Sequence, residues 1–141
     1  MTFSGRNYYE IYLLLLTAGW ALMSWVTDAG SETIEAAFPG WGRHIFLGGL
    51  LVGSLIALGG IAVGTVVGML VERAALFTLA GLCTAVGVVV LSRADTGHAL
   101  YVVPLLLAYA AVHLVRARQV RTDIARIQQA LANTTAPEPT S

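Results

Sequence analysis

Apolar residues fill this chain in long blocks, and the polar residues collect in the gaps between them. The first block, 9–26 (YEIYLLLLTAGWALMSWV), carries one charge, Glu10, at its edge. About 20 apolar residues in helical form cross the roughly 30 Å hydrocarbon core of a bilayer, so this block is long enough for one span. From Ile45 to Leu91 the only charged residues are Glu72 and Arg73. As one straight helix rising 1.5 Å per residue, that run would reach about 70 Å, more than twice the core, so it has to fold back. The charged pair Glu72-Arg73 is the expected place for the turn, which predicts a second span over 45–70 and a third over 74–91. A fourth, ALYVVPLLLAYAAVHLV, covers 99–115, with Pro104 near enough to its start to cost little.

The gaps differ in kind. Residues 28–43 (DAGSETIEAAFPGWGR) are turn-rich, with Ser31 an N-cap for one or two helical turns that end at Pro39-Gly40. Residues 92–98 (SRADTGH) read as a short loop. After Val115 the pattern changes: Val120, Ile124, Ile127 and Leu131 recur at helical spacing among Arg116, Arg118, Arg121 and Arg126, which predicts an amphipathic basic helix over 116–132. Its stripe suits a short coiled-coil seam, the membrane surface, or packing beneath the bundle, and its arginines suit anionic headgroups or a membrane-protein partner. Residues 133–141 have too little apolar content to fold and are expected to be disordered.

Composition agrees with the spans. Of 141 residues, 57% are hydrophobic and 11% charged, far below the charged share of about 25% usual in soluble domains. The expected fold is all-α, an integral membrane protein of four transmembrane helices followed by a cytoplasmic amphipathic helix, with the lipid bilayer as its first partner. Net charge is zero, which argues against a nucleic-acid partner. All eight basic residues are arginine, a bias that fits a GC-rich genome. With both termini cytoplasmic, Arg6, Arg73, Arg116, Arg118, Arg121 and Arg126 lie inside and only Arg43 and Arg93 outside, as the positive-inside rule asks. Tyr8, Tyr9 and Tyr12 then mark the inner interface, and Trp25, Trp41 and Tyr101 the outer one. The first span has too weak a charged leader for a signal peptide, and cleavage after Ala29 is not expected.

Glycine placement is the strongest local pattern. Gly60, Gly64 and Gly68 are spaced by four, as are Gly49 and Gly53, and Gly81 brings a small residue to the third span. Such spacing lines one helix face and lets another backbone approach closely. Packing of span two on span three inside one chain and self-association into a homo-oligomer both meet the pattern. Glu72 and Arg73 read as the hairpin marker, with a salt bridge to the C-terminal arginines as a structural use of the pair. His44 and His98 at span ends lack the carboxylate or histidine company of a metal or haem site, so no cofactor is expected. The lone Cys83 offers neither a disulfide framework nor a Cys-rich metal site. No nucleophile–base pair, paired intramembrane carboxylates or phosphate loop is present, and no catalytic role is expected.

The run LVERAALFTLAG, the outer FPGWG and the terminal RARQVRTDIARI resemble the small four-span membrane proteins carried by actinobacterial phages, several of which are taken to be holins. The resemblance spans Tyr9 to Leu131. It implies accumulation in the bacterial host cytoplasmic membrane and assembly into lesions that permit host lysis. The alternative, of another class, is a non-catalytic structural or interaction subunit of a membrane complex.

Overall fold

The computed structural model of the chain describes residues 8–27, 38–93 and 96–134. Over these residues it is helical almost throughout, with no strand: α1 is Tyr8–Val26, α2 Trp41–Val63, α3 Val66–Arg93 and α4 Thr96–Thr134. All four helices are long and apolar enough to cross a membrane. The N-cap expected at Ser31, Arg6, and residues 135–141 of the expected tail lie outside the described residues.

The helices alternate in direction. Along α2 and α3, Gly53 faces Leu79 while Gly60 faces Gly68 and Glu72. Along α3 and α4, Gly87 faces Leu106 while Glu72 meets Arg116. Along α1 and α4, Thr17 meets Tyr109 while Glu10 meets Arg116. In every pair one residue number rises as the other falls, so the bundle runs up and down, and the start of α1 and the end of α4 share one end. α3 is the central element, packed on both α2 and α4, whereas α1 packs mainly on α2. The core threads along these contacts through Leu14, Phe46, Leu50, Leu76, Leu79 and Val90.

The turn between α2 and α3 falls at Gly64-Thr65, not at Glu72-Arg73. Gly64 ends α2 in the left-handed region, at φ 65°, ψ 10°, where a missing Cβ removes the steric penalty. Thr65 then starts α3: its Oγ1 accepts from the Gly68 N–H at 3.2 Å and its carbonyl from Met69 at 2.9 Å. A glycine stop followed by a threonine cap decides the turn, and the charged pair lies well inside α3. The expected spans 45–70 and 74–91 therefore become 41–63 and 66–93.

The C-terminal helix is not a separate element either. α4 continues without a break from the apolar segment through Arg116 to Thr134, about 58 Å at 1.5 Å per residue. Pro104 lies inside it rather than near its start, and removes the hydrogen bond to the carbonyl four residues earlier. Val120 and Ile124 are 2% and 7% exposed. The register set by Glu72 and Arg116 places them beside the first turns of α3. The stripe thus packs under the bundle, until Leu131, 61% exposed, projects beyond it.

Candidate functional site

Charged residues inside a bundle of membrane-spanning length are costly and mark sites of special purpose. Here they converge. Arg116 of α4 donates through Nη2 to Glu72 Oε1 at 3.2 Å, and its Nε faces Glu10 Oε2 at 2.5 Å, so one guanidinium ties α4 to α3 and α1 at the same level. Glu72 is fully buried. Arg116 also reaches Gln119 Oε1 at 3.5 Å through Nη1. Arg73, one residue along α3, points elsewhere, with its guanidinium 5.5 Å from the centre of the Phe77 ring one turn on.

Above this cluster the same seam carries further polar groups. Tyr109, His113 and Arg116 recur on one face of α4. The His113 ring, 1% exposed, meets Tyr109 edge-on at 4.3 Å. Thr17 of α1 donates to the Leu13 carbonyl at 2.7 Å, which leaves the Tyr109 hydroxyl to donate to Thr17 Oγ1 across the seam. Away from these bridges α1 and α4 stand apart. A groove of about 430 Å³ opens between them, with Cys83 of α3 at its floor and Leu13, Trp20 and Leu106 on its walls. A second cavity of about 370 Å³ follows toward Glu10, His113 and Arg116, and Leu13 borders both.

The glycines divide into three groups. A Cβ on Gly60 would lie 2.6 Å from the Gly68 carbonyl oxygen and 2.8 Å from the Glu72 nitrogen, and one on Gly68 would lie 2.5 Å from the Gly60 carbonyl oxygen. These two form a backbone-to-backbone contact. Gly49 and Gly53 instead receive the side chains of Leu82 and Leu79, each 2.8 Å from a would-be Cβ. Gly64 and Gly81 have nothing within 4 Å of a would-be Cβ. Gly64 serves the turn rather than the seam, and Gly81 faces outward on α3, so neither belongs to the α2–α3 packing surface.

On the C-terminal stretch, Arg118, Arg121 and Arg126 are exposed, Ile127 is half-buried, and Arg126 lies 3.9 Å from Asp123 in a surface pair of little energetic weight. At the opposite end of the bundle, Arg43 is buried and donates to the Ser24 carbonyl at 2.8 Å, closing an open acceptor in the last turn of α1. His44 lies between the rings of Trp25 and Trp41, at 5.5 and 6.5 Å. No three His, Cys, Asp or Glu side chains come together as a metal site among the described residues.

Sequence reasoning placed Arg116 on a basic surface and Glu10 at a span edge, and missed that they meet. It also passed over Thr17 and Tyr109. The available signal was the spacing of Tyr109, His113 and Arg116, which puts three polar groups on one face of an apolar helix. Comparison with protein-family models, with curated proteins and with solved structures finds no match to this chain.

Proposed function

We propose that this chain is a multi-pass protein of the bacterial cytoplasmic membrane that works as a non-catalytic interaction subunit, holding a partner at the inner surface with the exposed end of α4. The observation that carries this reading is the continuity of α4: one helix leaves the bundle, is braced on α3 by Val120 and Ile124, and ends in exposed Arg118, Arg121, Arg126 and Leu131. A braced helix presents its side chains with little ordering left to lose on binding, which favours a specific partner. Both termini are cytoplasmic in this reading, since the start of α1 and the end of α4 share one end of the bundle and the arginines of α4 gather there.

The lesion-forming alternative assigns glycine faces to contacts between subunits. Gly49, Gly53, Gly60 and Gly68 are already occupied by α3 or α2 of the same chain, which weighs against it.

The test is expression of the full chain beside two variants: a truncation after Ile127, which keeps the braced part of α4, and the triple change Arg118→Glu, Arg121→Glu, Arg126→Glu. The expected result is harmless accumulation, with a defined membrane partner that co-purifies with the full chain and is lost from the triple variant. Abrupt growth arrest with collapse of the membrane potential would overturn this reading in favour of the holin-like one.

A further inference from the structure

The seam between α1 and α4 is wide, because α1 packs mainly on α2. Its groove spans Leu13 to Trp20 on α1 and Val102 to Tyr109 on α4, about 10 Å along the axis at 1.5 Å per residue. Both walls are apolar except at the Thr17–Tyr109 bridge. The groove opens sideways past Leu16, Trp20 and Leu105, which are 69%, 46% and 71% exposed, at the height of helices long enough to span a bilayer. In that setting water has nothing to bond to, and hydrocarbon fills the space. Because the groove opens onto the bilayer through these exposed side chains, its occupant is drawn from the hydrocarbon around the bundle.

The second cavity shows what kind of chain. It adjoins the groove at Leu13 and is bordered by Glu10, His113, Arg116 and Gln119. The Nε2 of His113 is buried and has no hydrogen-bond partner among the described residues. A buried, unpartnered ring nitrogen is destabilising, and a polar group arriving from the cavity removes that cost. Arg116 is engaged with both carboxylates, so the cavity offers a hydrogen-bonding site more than a bare cation.

We propose that the α1–α4 seam binds one bilayer phospholipid, with a single acyl chain in the groove and an oxygen of its head region hydrogen-bonded to His113. This rests on the chain spanning a membrane and is independent of its role as an interaction subunit. A bilayer phospholipid supplies both parts, and the sideways opening past Leu16, Trp20 and Leu105 gives one of its acyl chains direct entry.

The experiment uses the full chain in nanodiscs of phosphatidylglycerol and phosphatidylethanolamine, in two arms. One arm contains a trace of phosphatidylglycerol with a photoactivatable diazirine in one acyl chain, and the other a diazirine-bearing palmitic acid. After irradiation, peptide mapping locates the crosslinks. The expected result is strong enrichment at Leu13–Trp20 and Leu106–Tyr109 over the outward face of α2 at Leu55 and Ile56. Leu106→Trp, and independently Val102→Trp, should abolish the enrichment, whereas Leu55→Trp should leave it unchanged. Retained helicity and single-species elution qualify each variant. His113→Ala should weaken labelling by the phospholipid probe about five-fold, the worth of one hydrogen bond of about 1 kcal/mol, without moving the site of tail labelling. Enrichment in the phospholipid arm supports the proposal, whereas enrichment in the palmitate arm alone would overturn it in favour of a free amphiphile. Even labelling of all outward faces, enrichment that survives both filling variants, or crosslinks joining two copies through the groove would overturn it.

Discussion

Gly60 offers the sharpest test of how the bundle closes. A methyl group there would lie 2.6 Å from the Gly68 carbonyl oxygen, 2.8 Å from the Glu72 backbone nitrogen and 3.0 Å from the Glu72 Cβ. Two of these neighbours are backbone, so no rotamer change relieves the clash, and α2 and α3 must separate by the better part of an ångström. Overpacking of this kind costs about 1–3 kcal/mol for a single added group, and the separation also shifts Glu72 away from Arg116. Gly60→Ala should therefore lower the folded-to-unfolded ratio by about 5- to 150-fold, and Gly60→Leu should prevent a stable bundle. Gly81→Leu should be close to neutral, since nothing lies within 4 Å of its would-be Cβ. Gly64→Leu, strained by a positive φ but unobstructed, should cost about 1–2 kcal/mol. Unfolding in graded SDS, followed by tryptophan fluorescence, ranks the three sites. A Gly60→Ala bundle as stable as the parent, or a Gly81→Leu bundle as weak as Gly60→Leu, would refute the close α2–α3 contact.

Arg116→Ala strands the buried Glu72 carboxylate and should cost about 3–5 kcal/mol, while Glu72→Gln with Arg116→Gln should recover part of that loss; additive losses in the same SDS titration would show that the pair is not coupled. Cys83, 1% exposed, should resist a charged maleimide in the folded bundle and react fully after SDS unfolding, so rapid labelling of the native protein would place the thiol outside the core. Reporter fusions after Thr96 and after Thr134, at opposite ends of α4, should report opposite sides of the membrane, and a common side would break the four-span topology.

Removal of residues 116–141 would cut into the scaffold, because Arg116, Val120 and Ile124 belong to the bundle. A cut after Ile127 separates surface from scaffold. This difference shows where a pattern of apolar and basic residues stops being informative. An amphipathic stripe states that one face will be covered but not by what, and here the cover is the start of α3.

The sequence alone determined the class of the fold, four apolar helices, because block length and charge placement answer to the solvent and need no tertiary partner. It also carried the true turn: Gly64-Thr65 is a helix stop followed by a helix cap, a local signal that the louder Glu72-Arg73 pair obscured. Only the tertiary structure could show that Glu72 needs no interface. A salt bridge to a C-terminal arginine is expected of the pair, but that the arginine is Arg116, shared with Glu10, leaves no trace in local periodicity. The same holds for the glycines. Placement in apolar spans made Gly60, Gly64, Gly68 and Gly81 all look like seam residues, yet two of them touch backbone, one turns the chain and one faces outward, because close approach depends on where the second helix runs. The open seam between α1 and α4 has no sequence signature at all, since a groove is the space left by helices whose relative positions are fixed by contacts made elsewhere.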